Sequence, residues 1–225
     1  MEYQVRHTTQ YLYEHPVGSS YQSLHLTPRN FARQNVHHAS ISVWPEPLNM
    51  DARTDFWGNP VTDLFIRDPH ESLTITAESR VVVSANEGVL LDLSPTWEAA
   101  AAIAREAATD DAREAGRFCF PSPHIVFAGA RDYLQPLLSP GKPLLRLAME
   151  LTEQIYRDFE YRGGVTDVYT PIPEVLNARA GVCQDFAHLG IACLRACGLP
   201  ARYVSGYLLT QPPEGQPRLT GACLL

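Results

Sequence analysis

The sequence predicts an α+β protein in two parts, an antiparallel β-sandwich-like domain over residues 1–88 and a mainly helical part over residues 89–225. Two observations lead to this prediction. Apolar and polar side chains alternate with a period of two as far as Val83, and the period becomes helical after Asp92. Proline, glycine and asparagine separate the early runs, which is typical of short strands in a sandwich or a strongly bent antiparallel sheet.

Helices are expected after Asp92. Ser94 precedes a proline and is a candidate N-cap, and an apolar stripe over residues 144–155 predicts an amphipathic helix. A shorter helical pattern over residues 170–180 is expected to end at Gly181, because glycine commonly terminates helices.

Strands are expected again near the end of the chain. Residues 201–209 predict a strand, with a bulge at Gly206, and residues 218–225 predict the start of its antiparallel return strand. The core is therefore expected to contain an incomplete antiparallel sheet. An open sheet edge pairs readily with other chains, so self-association is expected.

The composition of the chain indicates which classes of binding partner and which cellular compartment to expect. The chain has 225 residues, 45% of them hydrophobic and 19% charged, and a net charge of −7. These values are those of a soluble globular protein, and the acidic balance argues against nucleic acid or an anionic membrane as the main partner. The N-terminus has no apolar signal sequence, and five cysteines do not suggest a disulfide framework. We expect a cytoplasmic protein with no membrane span.

Cys183 is the candidate catalytic residue. It follows Gly181 and precedes an apolar face at helical spacing that ends at Gly198, so it is expected in the first turn of a helix. Unpaired N–H groups and the positive end of the helix dipole favour a thiolate there. A thiolate is the nucleophile of cysteine acyl-transfer enzymes.

The histidines offer no obvious base for this cysteine. His188 lies five residues beyond Cys183, which places it roughly 140° around the helix. It is interpreted as a packed helix histidine. His124, in a proline-rich loop, and His37 and His38, on a predicted strand, have no spacing that connects them to Cys183.

Three neighbouring residues have simpler interpretations than catalysis or metal binding. Cys193 and Cys197 are spaced like a pair of metal ligands, but no second pair accompanies them, so we interpret them as small packed residues. Asp185 is expected to complement the helix dipole. The sequence therefore indicates no metal and no cofactor.

The chain resembles bacterial transglutaminase-like proteins. The resemblance is carried by residues 179–209, where the helix-initial cysteine is followed by Gly-Leu-Pro-Ala-Arg-Tyr-Val-Ser-Gly-Tyr at 198–207. The first part is similar to the β-rich domain that precedes this core in many members. Its matching pieces are residues 3–13, 26–29, 55–59 and 69–75.

The resemblance implies a papain-like mechanism on peptide or protein amides. Cys183 is then the nucleophile and its backbone N–H one oxyanion donor, while a histidine moves the proton and an aspartate orients the histidine. Family members carry that histidine after the hairpin, typically before Ala-Trp, where this sequence has Thr-Gly-Ala-Cys-Leu-Leu at 220–225. This chain by itself is therefore expected to be inactive in turnover.

Two classes of function stay open at this point. One is a transglutaminase-like cysteine acyltransferase or amidohydrolase. The other is a non-catalytic β-rich interaction module with a residual half-core.

Overall fold

A computed structural model describes residues 1–85 and 88–209 of the chain. Contacts between Cα atoms divide these residues into two compact units, Met1–Gly88 and 89–209. Each unit has its own buried cluster of apolar side chains.

The first unit consists of six antiparallel strands in two three-stranded sheets. The strands are β1 Glu2–Val17, β2 Ser20–Leu24, β3 Gln34–Trp44, β4 Asn49–Thr54, β5 Pro60–Ile66 and β6 His70–Val83. One sheet has the order β1-β6-β3, and the other has the order β2-β5-β4. The prediction of an antiparallel β-rich first part is confirmed.

Alternation along the central strands builds the core of this unit. Leu64 and Ile66 of β5 and Leu73 and Ile75 of β6 are each at most 3% exposed, and Leu24 of β2 joins them. The residues between them on the same strands are more accessible. Successive side chains of a strand point to opposite faces, so the period-two pattern of the sequence supplies one apolar face per strand.

The second unit is mainly helical. Its helices are α1 Trp97–Glu106, α2 Asp110–Gly116, α3 Ala130–Leu134, α4 Leu144–Asp158, α5 Ile172–Ala178 and α6 Cys183–Ala196. Two strands of two residues each, β7 Glu160–Tyr161 and β8 Ala180–Gly181, pair in parallel. None of the helices in the described part of the chain is long and apolar enough to cross a membrane.

The core of the second unit forms where α3, α4, α5 and α6 meet. Leu147 of α4, Leu134 of α3 and Leu189 of α6 have no measurable exposure, and Val175 of α5 is 1% exposed. The predicted stripe over residues 144–155 supplies the buried face of α4. Together the two units confirm the predicted α+β class.

The predicted strand at residues 201–209 is wrong. These residues have no regular secondary structure and pair with no strand among those described, and residues 202–209 are exposed. Apolar and β-branched residues favour a strand because their side chains pack well in a sheet. Without a neighbouring strand to hydrogen-bond to, a segment rich in them does not form a β-strand. The antiparallel sheet expected in the second unit is also not found among its described residues, where β7 and β8 pair in parallel. The return strand predicted at 218–225 lies outside the described residues.

Two predicted helix ends also differ from the structure. Thr96 caps α1, because its side chain accepts the N–H of Ala99, while Ser94 donates to the carbonyl of Leu91. Helix α5 ends before Gly181, at Arg179, which adopts the left-handed conformation with φ of 51°. The prediction from the position of Gly181 therefore placed the end of this helix two residues too late.

Candidate active site

Cys183 is the first residue of α6, as predicted. The chain reaches it through β8, whose Gly181 carbonyl accepts the backbone N–H of Arg162 at 2.8 Å. Val182 is the extended residue before the helix, with φ of −117° and ψ of 177°. Cys183 is partly exposed, so it is not enclosed in the core of the second unit.

The buried carboxylate of Asp185 holds this turn together. Its Oδ2 accepts the backbone N–H of Val182 at 2.7 Å and the hydroxyl of Thr166 at 2.7 Å. Asp185 is 3% exposed. A carboxylate in the first turn satisfies a backbone donor and interacts favourably with the helix dipole. The interpretation of Asp185 as a residue of the helix start thus agrees with its contacts.

Gly181 is required by the position of that carboxylate. A Cβ atom on Gly181 would lie 2.6 Å from Oδ2 of Asp185 and 3.0 Å from its Cβ. Backbone conformation does not demand glycine here, since a positive φ is not recorded for this residue. The glycine before the cysteine is therefore a packing requirement of Asp185 and not a helix terminator.

Arg179 fixes the chain just before this glycine. Its guanidinium carbon lies 5.4 Å from the centre of the Tyr133 ring and 5.1 Å from that of Phe159, and Nη1 is 3.8 Å from the Asp158 carboxylate. The hydroxyl of Tyr133 donates to the same carboxylate at 3.1 Å. Burial, together with the hydrogen bond to Asp158, raises the pKa of Tyr133 to about 12. These contacts compensate for the left-handed backbone of Arg179.

The remaining cysteines of α6 are protected. Cys193 has no measurable exposure, and its thiol donates to the carbonyl of Ala130 at 3.3 Å. Burial raises the pKa of Cys193 to about 12 and raises the pKa of Cys197. Both thiols stay protonated near neutral pH, so the interpretation of these residues as packed side chains agrees with the structure.

Four rings form a row beside α6. The ring of His188 stacks on His124, with centroids 5.6 Å apart and planes 12° apart, and contacts Tyr203 at 5.7 Å. His124 in turn faces Tyr169 at 6.5 Å. Burial lowers the pKa of His188, and the charge of His124 lowers it further. The contact between the two histidines was not predicted, because nothing in the sequence spacing connects them.

Metal binding finds no support in the described residues. No three histidine, cysteine, aspartate or glutamate side chains among them gather closely enough to hold a metal ion.

Family models match both units of the chain. A model of the bacterial transglutaminase-like N-terminal region matches residues 3–82, and a model of the transglutaminase-like superfamily matches residues 131–220. The chain belongs to the bacterial transglutaminase-like family. The resemblance seen in the sequence is thereby confirmed, and Cys183 lies within the matched core.

Relatives of similar sequence occur in mycobacteria. The chain is 41% identical over 224 residues to uncharacterized proteins of Mycobacterium bovis and Mycobacterium tuberculosis, which covers 97% of this chain and 69% of each relative. An uncharacterized protein of Mycobacterium leprae is 31% identical over 204 residues, covering 91% of this chain and 70% of its own length.

A solved structure shares the fold. The crystal structure of a putative cysteine protease from Cytophaga hutchinsonii superimposes with a TM-score of 0.66 over 89% of this chain and 67% of that one. Sequence identity is 19%, so the likeness concerns the fold.

Proposed function

We propose that Cys183 is the nucleophile of a transglutaminase-like cysteine acyltransferase or amidohydrolase that acts on amides of peptides or proteins. The observation that carries the proposal is the position of Cys183 at the first residue of a 14-residue helix, partly exposed, within the matched transglutaminase-like core. A helix N-terminus favours the thiolate, and the thiolate is the attacking species.

The proposed reaction begins with attack of the Cys183 sulfur on the amide carbon. A carbon–sulfur bond forms, the carbon–nitrogen bond breaks, and the amine leaves with a proton. In this proposal the backbone N–H of Cys183 donates a hydrogen bond to the oxyanion of the intermediate. The thioester then passes its acyl group to an amine or to water, which restores the thiol.

Catalytic turnover by residues 1–225 alone is expected to be limited by proton transfer. In the second unit the histidines are His124 and His188, and their rings stack on each other. The spacing of these two histidines in the sequence does not connect either of them with Cys183. General acid–base help contributes about 10²–10⁴-fold, so we expect acylation without sustained turnover from this polypeptide.

An activated ester and a glutamine peptide together test the proposal. The ester should acylate purified residues 1–225 once per chain at Cys183, and Cys183→Ala should remain unmodified. Release of ammonia from the glutamine peptide should stay at background. An acyl group found on another residue, or equal acylation of the Cys183→Ala variant, would contradict the assignment of the nucleophile. Steady ammonia release that Cys183→Ala abolishes would support the nucleophile and assign the base to a histidine of this chain.

The alternative function, a non-catalytic interaction module, is suggested by the surface of the first unit. Its two sheets expose large apolar side chains, among them Tyr21 at 80% and Trp44 at 69%. Scattered exposed apolar residues are common on protein surfaces, so this observation is weaker than the position of Cys183. Absence of acylation at Cys183 in the ester experiment would favour the alternative.

A further inference from the structure

Strand β3 forms one edge of the sheet β1-β6-β3 in the first unit. It is the last strand of that sheet, so one side of its backbone has no strand partner among the described residues. After a bulge between Val36 and His38, residues 38–44 pair with β6 in an unbroken register. Backbone N–H and C=O groups along such an edge can pair with a strand of another chain. The regular part of β3 is long enough to do so, since an average strand has about 5–6 residues.

The other sheet edges of the first unit carry features that discourage edge pairing, which are short strands, charged side chains and proline. Strand β2 has 5 residues, and β4 has 6 residues that include Asp51 and Arg53. Strand β1 contains three charged residues and a proline, Glu2, Arg6, Glu14 and Pro16. Residues 38–44 of β3, by contrast, contain no aspartate, glutamate, lysine, arginine or proline. Strand β3 is therefore the least protected of these edges.

The sequence of β3 is complementary to a second copy of itself. In an antiparallel pair centred on Ile41, Ala39 of each chain lies opposite Val43 of the other, and Ser40 lies opposite Ser42. Ala39, Ile41 and Val43 share one face of the strand, on which Ile41 and Val43 pack against the core. Ser40 and Ser42 lie on the opposite face and are exposed. The pairing thus sets apolar side chains against apolar ones and hydroxyls against hydroxyls.

Trp44 adds a large side chain to the same edge. It is 69% exposed and ends the strand on the face that carries the two serines. In the pairing centred on Ile41 it lies opposite His38 of the second chain, which is also exposed. Cross-strand pairs of aromatic rings stabilise a sheet, and tryptophan is enriched in protein interfaces. Two-fold symmetry places one such pair at each end of the paired strands.

We propose that the first unit forms a two-fold symmetric dimer, in which β3 pairs antiparallel with β3 of a second copy in the register centred on Ile41. The two three-stranded sheets then join into one continuous sheet of order β1-β6-β3-β3-β6-β1. Each chain uses one edge and the two copies use the same edge, so the assembly closes at two chains and does not grow into a fibre. The interaction does not involve the chemistry at Cys183.

The dimer is expected to dissociate readily. Pairing along residues 38–44 joins a narrow strip of each chain, whereas stable interfaces bury about 1,200–2,000 Å². A dissociation constant of about 10–100 µM is the corresponding expectation. Sedimentation velocity of purified residues 1–225 between about 5 and about 500 µM spans this range, so the sedimentation coefficient should rise from that of a monomer toward that of a dimer.

Charges at Ser40 and Ser42 test the strand and the register together. Ser40→Lys/Ser42→Lys sets lysine opposite lysine at two positions of the dimer, and like charges directly opposite each other destabilise a sheet. Ser40→Lys/Ser42→Glu sets lysine opposite glutamate at the same two positions, which favours pairing. We expect a dissociation constant about tenfold higher than wild type for the first variant, and one equal to or lower than wild type for the second.

Thr8→Lys/Gln10→Lys is the matched control. Both positions are exposed and lie on β1, at the opposite edge of the same sheet, where they pair with Thr76 and Thr74 of β6. The control adds the same two positive charges to the same sheet, so its dissociation constant should equal that of the wild type.

Hydrogen exchange of the wild type gives a measurement that needs no variant. The outward-facing amides of residues 38–44 should exchange more slowly at about 500 µM than at about 5 µM, because pairing with a second chain protects them. Circular dichroism checks that each variant is folded, and if a variant does not fold, the exchange experiment still decides.

A wild-type dimer that Ser40→Lys/Ser42→Lys weakens, and that Ser40→Lys/Ser42→Glu and the β1 control retain, would support the proposal. A monomer at every concentration, or a dimer that Ser40→Lys/Ser42→Lys leaves unchanged, would overturn it. Equal weakening by both β3 variants, equal weakening by the β1 control, growth beyond two chains, or exchange of residues 38–44 that is independent of concentration would overturn it as well. Acylation of Cys183 should be the same in all variants, so a failure of that experiment would bear on the proposed function alone.

Discussion

Replacement of Gly181 by alanine should destabilise the second unit by disturbing a side chain that is four residues away in sequence. The new Cβ would lie 2.6 Å from Oδ2 of Asp185, whereas ordinary contacts begin at 3.4 Å. The carboxylate has to move by about 0.8 Å, which takes its two 2.7 Å hydrogen bonds toward the limit of about 3.5 Å.

The size of the effect follows from those two bonds. Hydrogen bonds to a charged group contribute about 1.5–3 kcal/mol each, and Asp185 is 3% exposed, so water replaces them poorly. Loss of part of both bonds, offset by up to about 1 kcal/mol from the stiffer unfolded chain, gives a net cost of about 3 kcal/mol.

Urea unfolding followed by the helical circular dichroism signal measures this cost. Gly190→Ala is the matched control, because its Cβ would meet Ile155 at an ordinary 3.7 Å and alanine is favoured inside a helix by about 1 kcal/mol. The control should be as stable as the wild type or more stable. In an Asp185→Ala background, Gly181→Ala should cost less than about 1 kcal/mol, because the clashing carboxylate has been removed.

Equal stability of Gly181→Ala and Gly190→Ala would refute this reasoning. The same conclusion would follow if Gly181→Ala cost as much without the Asp185 carboxylate as with it.

Two further predictions concern the surroundings of the site. Because the pKa of His188 is lowered in the folded protein, the unfolded chain takes up a proton first as pH falls through the ordinary value of 6.5, so stability is lost below that pH. His188→Phe keeps a ring against His124 and should show a smaller fall in melting temperature between about pH 7 and pH 5; equal falls would contradict this. Arg179→Ala should be less stable than Arg179→Gly by about 1 kcal/mol in urea unfolding, since both lose the ring contacts and only alanine keeps the left-handed strain. Equal stability would show that the backbone at Arg179 is not strained.

Local patterns in the sequence predicted the elements that carry the site. Alternation along Leu73 and Ile75 predicted a half-buried strand, and the spacing of apolar residues after Cys183 predicted where α6 begins and ends. In both cases one face of a single strand or helix is buried, and the spacing of apolar residues within that one segment of sequence shows this.

Contacts between distant segments could not be predicted in the same way. The bond from Thr166 to Asp185 joins residues 19 apart, and the stacking of His124 on His188 joins residues 64 apart. Gly181 shows the consequence. Its neighbours suggested a helix end, whereas its role depends on a carboxylate that packs against it only after α6 has formed.

Strand pairing was the other source of error. Residues 201–209 have the composition of a strand, but a strand also needs a hydrogen-bonded neighbour, and composition does not provide one. A single sequence therefore predicts which segments can form strands more reliably than which segments pair.

Competitive alkylation of the cysteines of α6 tests the central claim most directly. Purified residues 1–225 are treated with limiting iodoacetamide at about pH 6 to 7, and modified peptides are quantified by mass spectrometry. Cys183 should react first, while Cys193, whose pKa is raised to about 12 by burial, and Cys197, whose pKa is also raised, should stay protected until the protein is unfolded. Faster modification of Cys193 or Cys197 than of Cys183 in the folded protein would contradict the assignment of Cys183 as the nucleophile.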